Sequence, residues 1–419
     1  LYSSAASDVY KRQEYKSSPY DNIVSLKGNY FSITNDNIYF QLKKEESKRD
    51  KTGYYYTLGD PIYAYISGQT GEKHFICPDP LCTHGAYSGC QYLNLGGLLQ
   101  STSNPSIMYT TKSAVVDGVF YPTVYEINKS AATIPPICTP DDKSEGLDMI
   151  YFNLMFEKDG KLYFIYNSKY EYVNDNGESE YDEKAKLMYL DLKTKQTEVL
   201  NDDLSTRVGL IGEVWDNLLF GDGDTLELYF TDYNFENPVT IMKFENGYSL
   251  QNLFYDGNTD ELYMLSYYGG LTYPSNPDMS GKDIHCKVYK MDKEFNITEI
   301  PMPSEMITSI QLTQNYIYYT VYDPIYLGSR NGYPLLDTTG GKIYRVARDN
   351  TTEGELFFDN HGEIMFDGSV GAAYCVVGDN LYLQYYKVRG SGDDMSTYYT
   401  GSIARVNVKE NTLKWINLY

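Results

Sequence analysis

One short pattern recurs along the chain and constrains its fold more than any other. A turn pair, usually Asp with Asn or Gly, is followed at once by a run of apolar and aromatic residues. The copies begin at Asp36-Asn37, Asp117-Gly118, Asp159-Gly160, Asp216-Asn217, Asp260-Glu261, Asn315-Tyr316 and Asp379-Asn380, and lead into runs such as Lys161-Leu162-Tyr163-Phe164. Asp, Asn and Gly accept the positive φ of a tight hairpin turn, and the β-prone run behind them starts the outgoing strand. A second strand type follows most copies, as in Leu187 to Leu192, Lys287 to Asp292, Lys342 to Ala347 and Ser402 to Val408. Each is followed by a further short strand, giving four strands per unit. Four-stranded units repeated around an axis define a propeller. The pattern predicts an all-β chain folded as a single β-propeller of about seven four-stranded blades, with six or eight as the alternatives.

Composition agrees. The chain has 419 residues with 46 Tyr and 16 Phe, aromatic side chains that suit half-buried strands. Asp plus Glu number 57 and Lys plus Arg 35, a net charge of −22. Such a surface repels a phosphate backbone, so nucleic acid is not an expected partner, and an anionic membrane surface is no better matched. No run approaches the roughly 18 consecutive apolar residues of a membrane-spanning helix. No phosphate loop, dinucleotide fingerprint or Gly-x-Ser-x-Gly elbow is present. A monomer is expected.

The Asp-Asn/Gly-x-Leu-Tyr pattern, with its following strand ending in a basic residue and Val or Leu, resembles the Tyr-rich propeller domains of exported proteins and lipoproteins from Gram-positive gut bacteria. The resemblance implies a propeller over residues 14–419 and an extracellular or surface-anchored location; it implies no particular activity. Ser3 to Gln13, SSAASDVYKRQ, resembles the translation of a transposon-type sequencing adapter, so residues 1–13 are read as a non-native segment of a fragmentary gene. Any export signal or lipid-attachment cysteine would then lie upstream.

Residues 77–105 form an insertion between units that opens with Cys77-x4-Cys82-x-His84-x5-Cys90. Three thiolates and an imidazole can fill the shell of one structural zinc. Segments of this kind recur in the propellers the chain resembles. A disulfide between two of the three cysteines is the rival reading, and it would suit an oxidising compartment. Catalysis by a Cys82/His84 pair is not expected, because residues so close in one loop rarely reach the geometry of a nucleophile and its base.

Strand order assigns loops to faces. Connections between the first and second strands, and between the third and fourth, are short. The long insertions fall between second and third strands: Lys43 to Gly59, Ser168 to Lys184, Tyr267 to Asp283, Tyr322 to Gly341 and Lys387 to Gly401. Long loops gathered on one end of a rigid scaffold are where binding is usually found. The candidate ligand-binding residues there are Tyr170, Tyr172, Tyr267, Tyr268, Tyr273, Asp323, Tyr326, Tyr333, Tyr398 and Tyr399. Tyr rings beside carboxylates suit a glycan, a peptide with basic residues or a protein partner. The expected function is therefore a non-catalytic surface binding or scaffold propeller. The alternatives are a glycan-active enzyme using carboxylates around the central funnel, and a structural spacer with a metal- or disulfide-stapled loop.

Overall fold

The structure, a computed structural model, describes residues 23–27, 32–34, 37–42, 45–49, 54–58, 62–67, 71–84, 89–104, 106–116, 119–128, 134–138, 147–204, 208–222, 226–236, 238–245, 248–268, 285–323, 325–330, 333–337, 341–359, 374–377, 380–389, 396–407, 410 and 412–417. The adapter-like segment 1–13 lies outside them. Every regular element among the described residues is a strand.

The strands follow one another as seven antiparallel meanders. The first is β2 (Ser32–Thr34), β3 (Asn37–Leu42), β6 (Ile62–Ser67) and β7 (Lys73–Phe75), with a ribbon of β4 (Glu45–Arg49) and β5 (Tyr54–Leu58) between β3 and β6. The second is β8 (Leu99–Gln100), β9 (Ile107–Val116), β10 (Val119–Asn128) and β11 (Pro136–Cys138). The third is β12 (Leu147–Lys158), β13 (Lys161–Val173), β14 (Ser179–Asp191) and β15 (Thr197–Leu204). The fourth is β16 (Val208–Val214), β17 (Asn217–Asp222), β18 (Glu227–Thr231) and β19 (Val239–Lys243). The fifth is β20 (Tyr248–Asp256), β21 (Glu261–Tyr268), β22 (His285–Met291) and β23 (Ile297–Ile300). The sixth is β24 (Ile307–Leu312), β25 (Tyr316–Val321), β28 (Lys342–Ala347) and β29 (Asn350–Asp359), with the ribbon β26 (Ile325–Arg330) and β27 (Tyr333–Asp337) inside it. The seventh is β30 (Tyr374–Val377), β31 (Asn380–Arg389), β32 (Ser396–Asn407) and β33 (Thr412–Asn417).

These meanders form a β-propeller with six blade sheets. The second and third meanders share one eight-stranded sheet, joined where Phe120 of β10 lies parallel to Met149 of β12. Seven sequence units therefore appear as six sheets. Six of the seven turn pairs join the first strand of a meander to its second, and Asp159 and Gly160 show why: φ is 51° and 74° there, values at which Gly carries no Cβ penalty. Asp117-Gly118 instead joins β9 to β10, the second strand to the third. The first strand of that meander is the two-residue β8, hidden in the stretch read from sequence as part of the cysteine insertion.

A lone four-stranded meander leaves both faces apolar, and the ring buries them pairwise. Buried Phe164, Leu162 and Met188 of the third meander meet Tyr109 and Val124 of the second. Leu187 and Ile165 meet Phe220 and Leu218 of the fourth, and Leu219 and Phe230 meet Leu253 and Met264 of the fifth. Phe254 and Leu265 meet Ile310 and Ile317 of the sixth; Tyr318 and Ile343 meet Leu381 and Leu383 of the seventh. The circle closes where Tyr382, Ile403 and Ile416 pack against Ile62, Ala64 and Ile66 of the first meander. Closure is by side-chain packing, since the first and last meanders each keep four strands of their own.

The tight-turn end and the axis each carry a further constraint. On the tight-turn end, polar ties cross from one meander to the next. Glu157, 5 % exposed, accepts Thr102 N–H at 2.8 Å and the Ser103 hydroxyl at 2.7 Å. Lys158 reaches Glu213 at 2.9 Å and Asp216 at 2.5 Å, and Trp215 Nε1 donates to Asp260 at 2.6 Å. Arg348 reaches the fully buried Asp256 at 2.5 Å and donates to the Tyr263 hydroxyl at 2.6 Å. On the axis, an additional strand, β1 (Ile23–Lys27), pairs antiparallel with the inner edge of β20, Ile23 opposite Asp256. Leu26 lies 3.1 Å from where a Cβ on Gly212 of β16 would stand, so glycine there is what lets the strand approach.

The two charged ties should differ in weight. Removing Arg348 strands a buried carboxylate, so Arg348→Ala is expected to destabilise by about 3–5 kcal/mol. Lys158→Ala should cost about 1 kcal/mol or less, because the Asp216 side chain is 90 % exposed and Glu213 can turn to water. Urea unfolding of both variants checks this; equal losses would contradict it.

Candidate functional site

The four residues of the Cys/His segment come together. The ligand atoms of Cys77, Cys82, His84 and Cys90 all lie within 4.8 Å of one another. A tetrahedral zinc shell with bonds near 2.3 Å has edges of about 3.8 Å, so a small contraction brings all four onto one ion. Local turns create the cluster. Asp79 Oδ1 accepts Leu81 N–H at 2.9 Å and Asp79 O accepts Cys82 N–H at 3.2 Å, which folds Cys82 back toward Cys77. His84 (φ 52°) and Gly89 (φ 67°) take left-handed conformations that reverse the chain again, and Cys90 Sγ sits 3.8 Å from His84 Nδ1. The His84 ring rests on Phe75 of β7, centroids 4.5 Å apart. Beyond the cluster, Gln91 O accepts Lys112 Nζ at 2.8 Å and Leu93 bridges to Ile62, so the segment is held by both the first and the second meander.

Burial shapes the electrostatics. It pushes the Cys90 thiol up to about 12 and raises that of Cys77, while it lowers the His84 imidazole against the opposing pull of the Asp79 carboxylate. A metal bound here would displace thiol protons, while the imidazole would bind in its neutral form. None of these three cysteines is joined in a disulfide in the structure.

The long elaborations lie where strand order predicts. The β4–β5 and β26–β27 ribbons, the far halves of the β13–β14 and β31–β32 hairpins, and the β21–β22 connection all join second strands to third strands. The Cys/His segment, which runs from a fourth strand to the next first strand, emerges on the same end. The predicted tyrosines are placed unequally. Tyr172 is 46 % exposed near the β13–β14 tip, and its hydroxyl donates to Glu180 at 2.6 Å. Tyr170, two pairs further in, is half-buried beneath Lys184 Nζ at 5.4 Å. Asn174 closes the tip by accepting the N–H groups of Asn176 and Glu178. Tyr268 is 36 % exposed and packs against Tyr248 and His285. Tyr267 beside it is only 4 % exposed, in a small cluster with Tyr322, Cys286 and Met306. Asp323, on the surface, accepts from Lys342 at 2.8 Å. Tyr326 and Tyr333 fall on the β26–β27 ribbon, and Tyr398 and Tyr399 on β32 opposite Lys387 and Tyr386. Tyr273 lies outside the described residues.

The carboxylates at the ends of the inner strands, Glu157, Glu213 and Asp256, are each engaged in ties between meanders. Sequence reasoning missed that engagement, as it missed Tyr65, Lys73 and Phe75 around the Cys/His segment, because all read as ordinary strand residues.

No protein-family model matches the chain, and no curated protein matches it in sequence. Among solved structures, it is similar to an oligogalacturonate lyase in complex with manganese (12 % identity, TM-score 0.45, covering 86 % of this chain and 96 % of that one). It is similar also to the GH74 enzyme of Niastella koreensis (11 % identity, TM-score 0.47, 96 % and 56 %) and to the acylaminoacyl peptidase of Pyrococcus horikoshii (10 % identity, TM-score 0.45, 92 % and 51 %).

Tyr267 offers a test of this placement. Its hydroxyl is buried with no hydrogen-bond partner, a desolvation cost of about 1–3 kcal/mol. Tyr267→Phe is expected to raise the melting temperature, whereas Tyr267→Ala should lower it by opening a cavity. A loss of stability in the Phe variant would show that the hydroxyl is satisfied.

Proposed function

We propose that the protein is a non-catalytic binding propeller that presents its long-hairpin end to a glycan, peptide or protein at or outside a cell surface, with one zinc held by Cys77, Cys82, His84 and Cys90. The observation that carries this reading is the segregation of the elaborations. All five extend second-to-third strand connections, while the opposite end is tight turns and polar ties. A scaffold stabilised at one end leaves the other free to vary in shape. Exposed Tyr172 and Tyr268 supply flat apolar surface with a polar tip, the kind of side chain that contributes most to recognition.

A catalytic centre in the funnel finds less support. Glu157, Glu213 and Asp256 on the inner strands are held in ties between meanders, and β1 places Ile23 and Leu26 against the inner strands, where Leu26 lines a cleft of about 410 Å³. Among the described residues no helix is long and apolar enough to cross a membrane.

The zinc is structural in this reading: four protein ligands leave no open position for water or substrate. Purified residues 14–419 should carry one zinc per chain, and the three thiols should react with a thiol reagent only after chelation. Because zinc must displace thiol protons, capture should weaken as pH falls. A metal-free chain with two thiols unreactive until reduced would replace zinc by a disulfide.

For the binding face, the Tyr172→Ala/Tyr268→Ala double variant should lose most of its capture of neutral oligosaccharides or lysine-rich peptides at an unchanged melting temperature. A comparable loss is not expected from Asp216→Ala on the tight-turn end. Capture that survives the double variant would move the site elsewhere.

A further inference from the structure

The cleft of about 410 Å³ lies between the fourth and fifth meanders at the long-hairpin end. Its volume falls within the roughly 300–1,000 Å³ of small-molecule sites. Its floor is one row across three strands. Gly209 of β16 is directly opposite Gly221 of β17, and Gly221 is opposite Leu228 of β18, so all three present the same face. That face is turned to the fifth meander, whose core Leu228 shares. Leu250 of β20, Phe244 and Leu26 of β1 also line the cleft, and Leu250 and Phe244 are buried. β17 and β18 are joined by residues 223–226, a short link between the long β13–β14 arm and the long β21–β22 connection. The fourth meander therefore has no arm of its own above the cleft.

We propose that this cleft binds a compact, uncharged aliphatic molecule that lies against the bare backbone of Gly209. The two glycines stand there for different reasons. A Cβ on Gly221 would lie 3.1 Å from Ile211 Cδ1, so packing accounts for that one. A Cβ on Gly209 would meet nothing within 4 Å, and neither glycine takes a positive φ. Glycine weakens a strand interior; where neither a turn nor a neighbour requires it, it marks a place where another molecule comes close to the backbone. The lining also sets the charge of the occupant. Among the described residues its charged members are Asp222 and Glu227, cross-strand partners next to Gly221 and Leu228. Successive strand residues alternate, so both acids point to the opposite face, where Glu227 accepts from Lys243 at 2.8 Å. A carboxylate entering the cleft would lose its water and find no cation, whereas an uncharged aliphatic body would meet leucine side chains. The inference depends on neither the zinc nor Tyr172 and Tyr268.

The test titrates 1-adamantanol and 1-adamantanecarboxylate into the purified chain, with binding read by ligand-observed NMR. The alcohol is expected to bind at least about tenfold more tightly than the carboxylate, whose charge has no partner in the cleft. Gly209→Val grows a side chain into the open space and should weaken the alcohol at least about tenfold. Its melting temperature should equal or exceed the parent's, because a β-branched residue suits a strand. Gly209→Ala intrudes less and should fall between the two, and it carries the test if Gly209→Val folds poorly. Absence of binding, equal binding of both compounds, or alcohol binding untouched by both variants overturns the proposal. A Gly209→Ala chain that melts well below the parent overturns it as well, by showing that packing already fills the position.

Discussion

The structure depends on apolar faces that no meander can bury alone. Phe164, Phe220, Phe254 and Ile343 each sit in a core shared with a neighbour, so every meander is a wall of two cores, and the ring must close before the last of them is dry. At roughly 25 cal/mol per Å² of buried apolar area, these shared faces supply the main driving force, and the turns and polar ties then select how the faces meet. Closure between Ile403 and Ile66 uses the same packing as every other junction, which is why the chain needs no exchanged strand to seal it.

That constraint separates the two ends. The tight turns, with Asp159, Asp216 and Asp260 at positive φ, bring neighbouring meanders close enough for Glu157, Lys158, Trp215 and Arg348 to reach across. The other end carries no such duty. Its hairpins leave the shared cores near Ser168 on β13 and Ser266 on β21, both almost fully buried, and beyond those points they can lengthen and change composition without exposing a core face. The Cys/His loop belongs to this freer end. A metal there would give a segment without regular structure the cross-links it otherwise lacks.

Much of this was legible in the sequence, and the exceptions have physical causes. Asp159-Gly160 marks a first-to-second strand turn because few other residues tolerate that backbone, so the repeat could be read directly. Asp117-Gly118 uses the same chemistry for a different turn, since a tight turn is indifferent to which strands it joins. Leu99-Gln100 is too short to show alternation. The five residues of β1 find their partner in β20, more than two hundred residues away, and nothing local encodes that pairing. The cysteine spacing was readable because thiols and imidazole are rare in this chain. Tyr267 and Tyr268 look alike in sequence; one is buried and the other is not, because successive strand residues point to opposite faces and only one face here is covered. Phe75 acquires its interest only when the Cys/His loop is folded against it.

The division between a stabilised end and a free end is tested most directly by shortening one elaboration. Replacing residues 169–183 with Asn-Gly removes the outer part of the β13–β14 hairpin, Tyr170 and Tyr172 included, while Ser168 and Lys184 keep their register. The measurement is the melting temperature of the shortened chain beside that of the parent. The expected result is a shift no larger than about 2–4 °C, the effect of roughly 1 kcal/mol. A chain that fails to fold, or melts far below the parent, would show that the hairpin end carries the ring and is not free to serve binding.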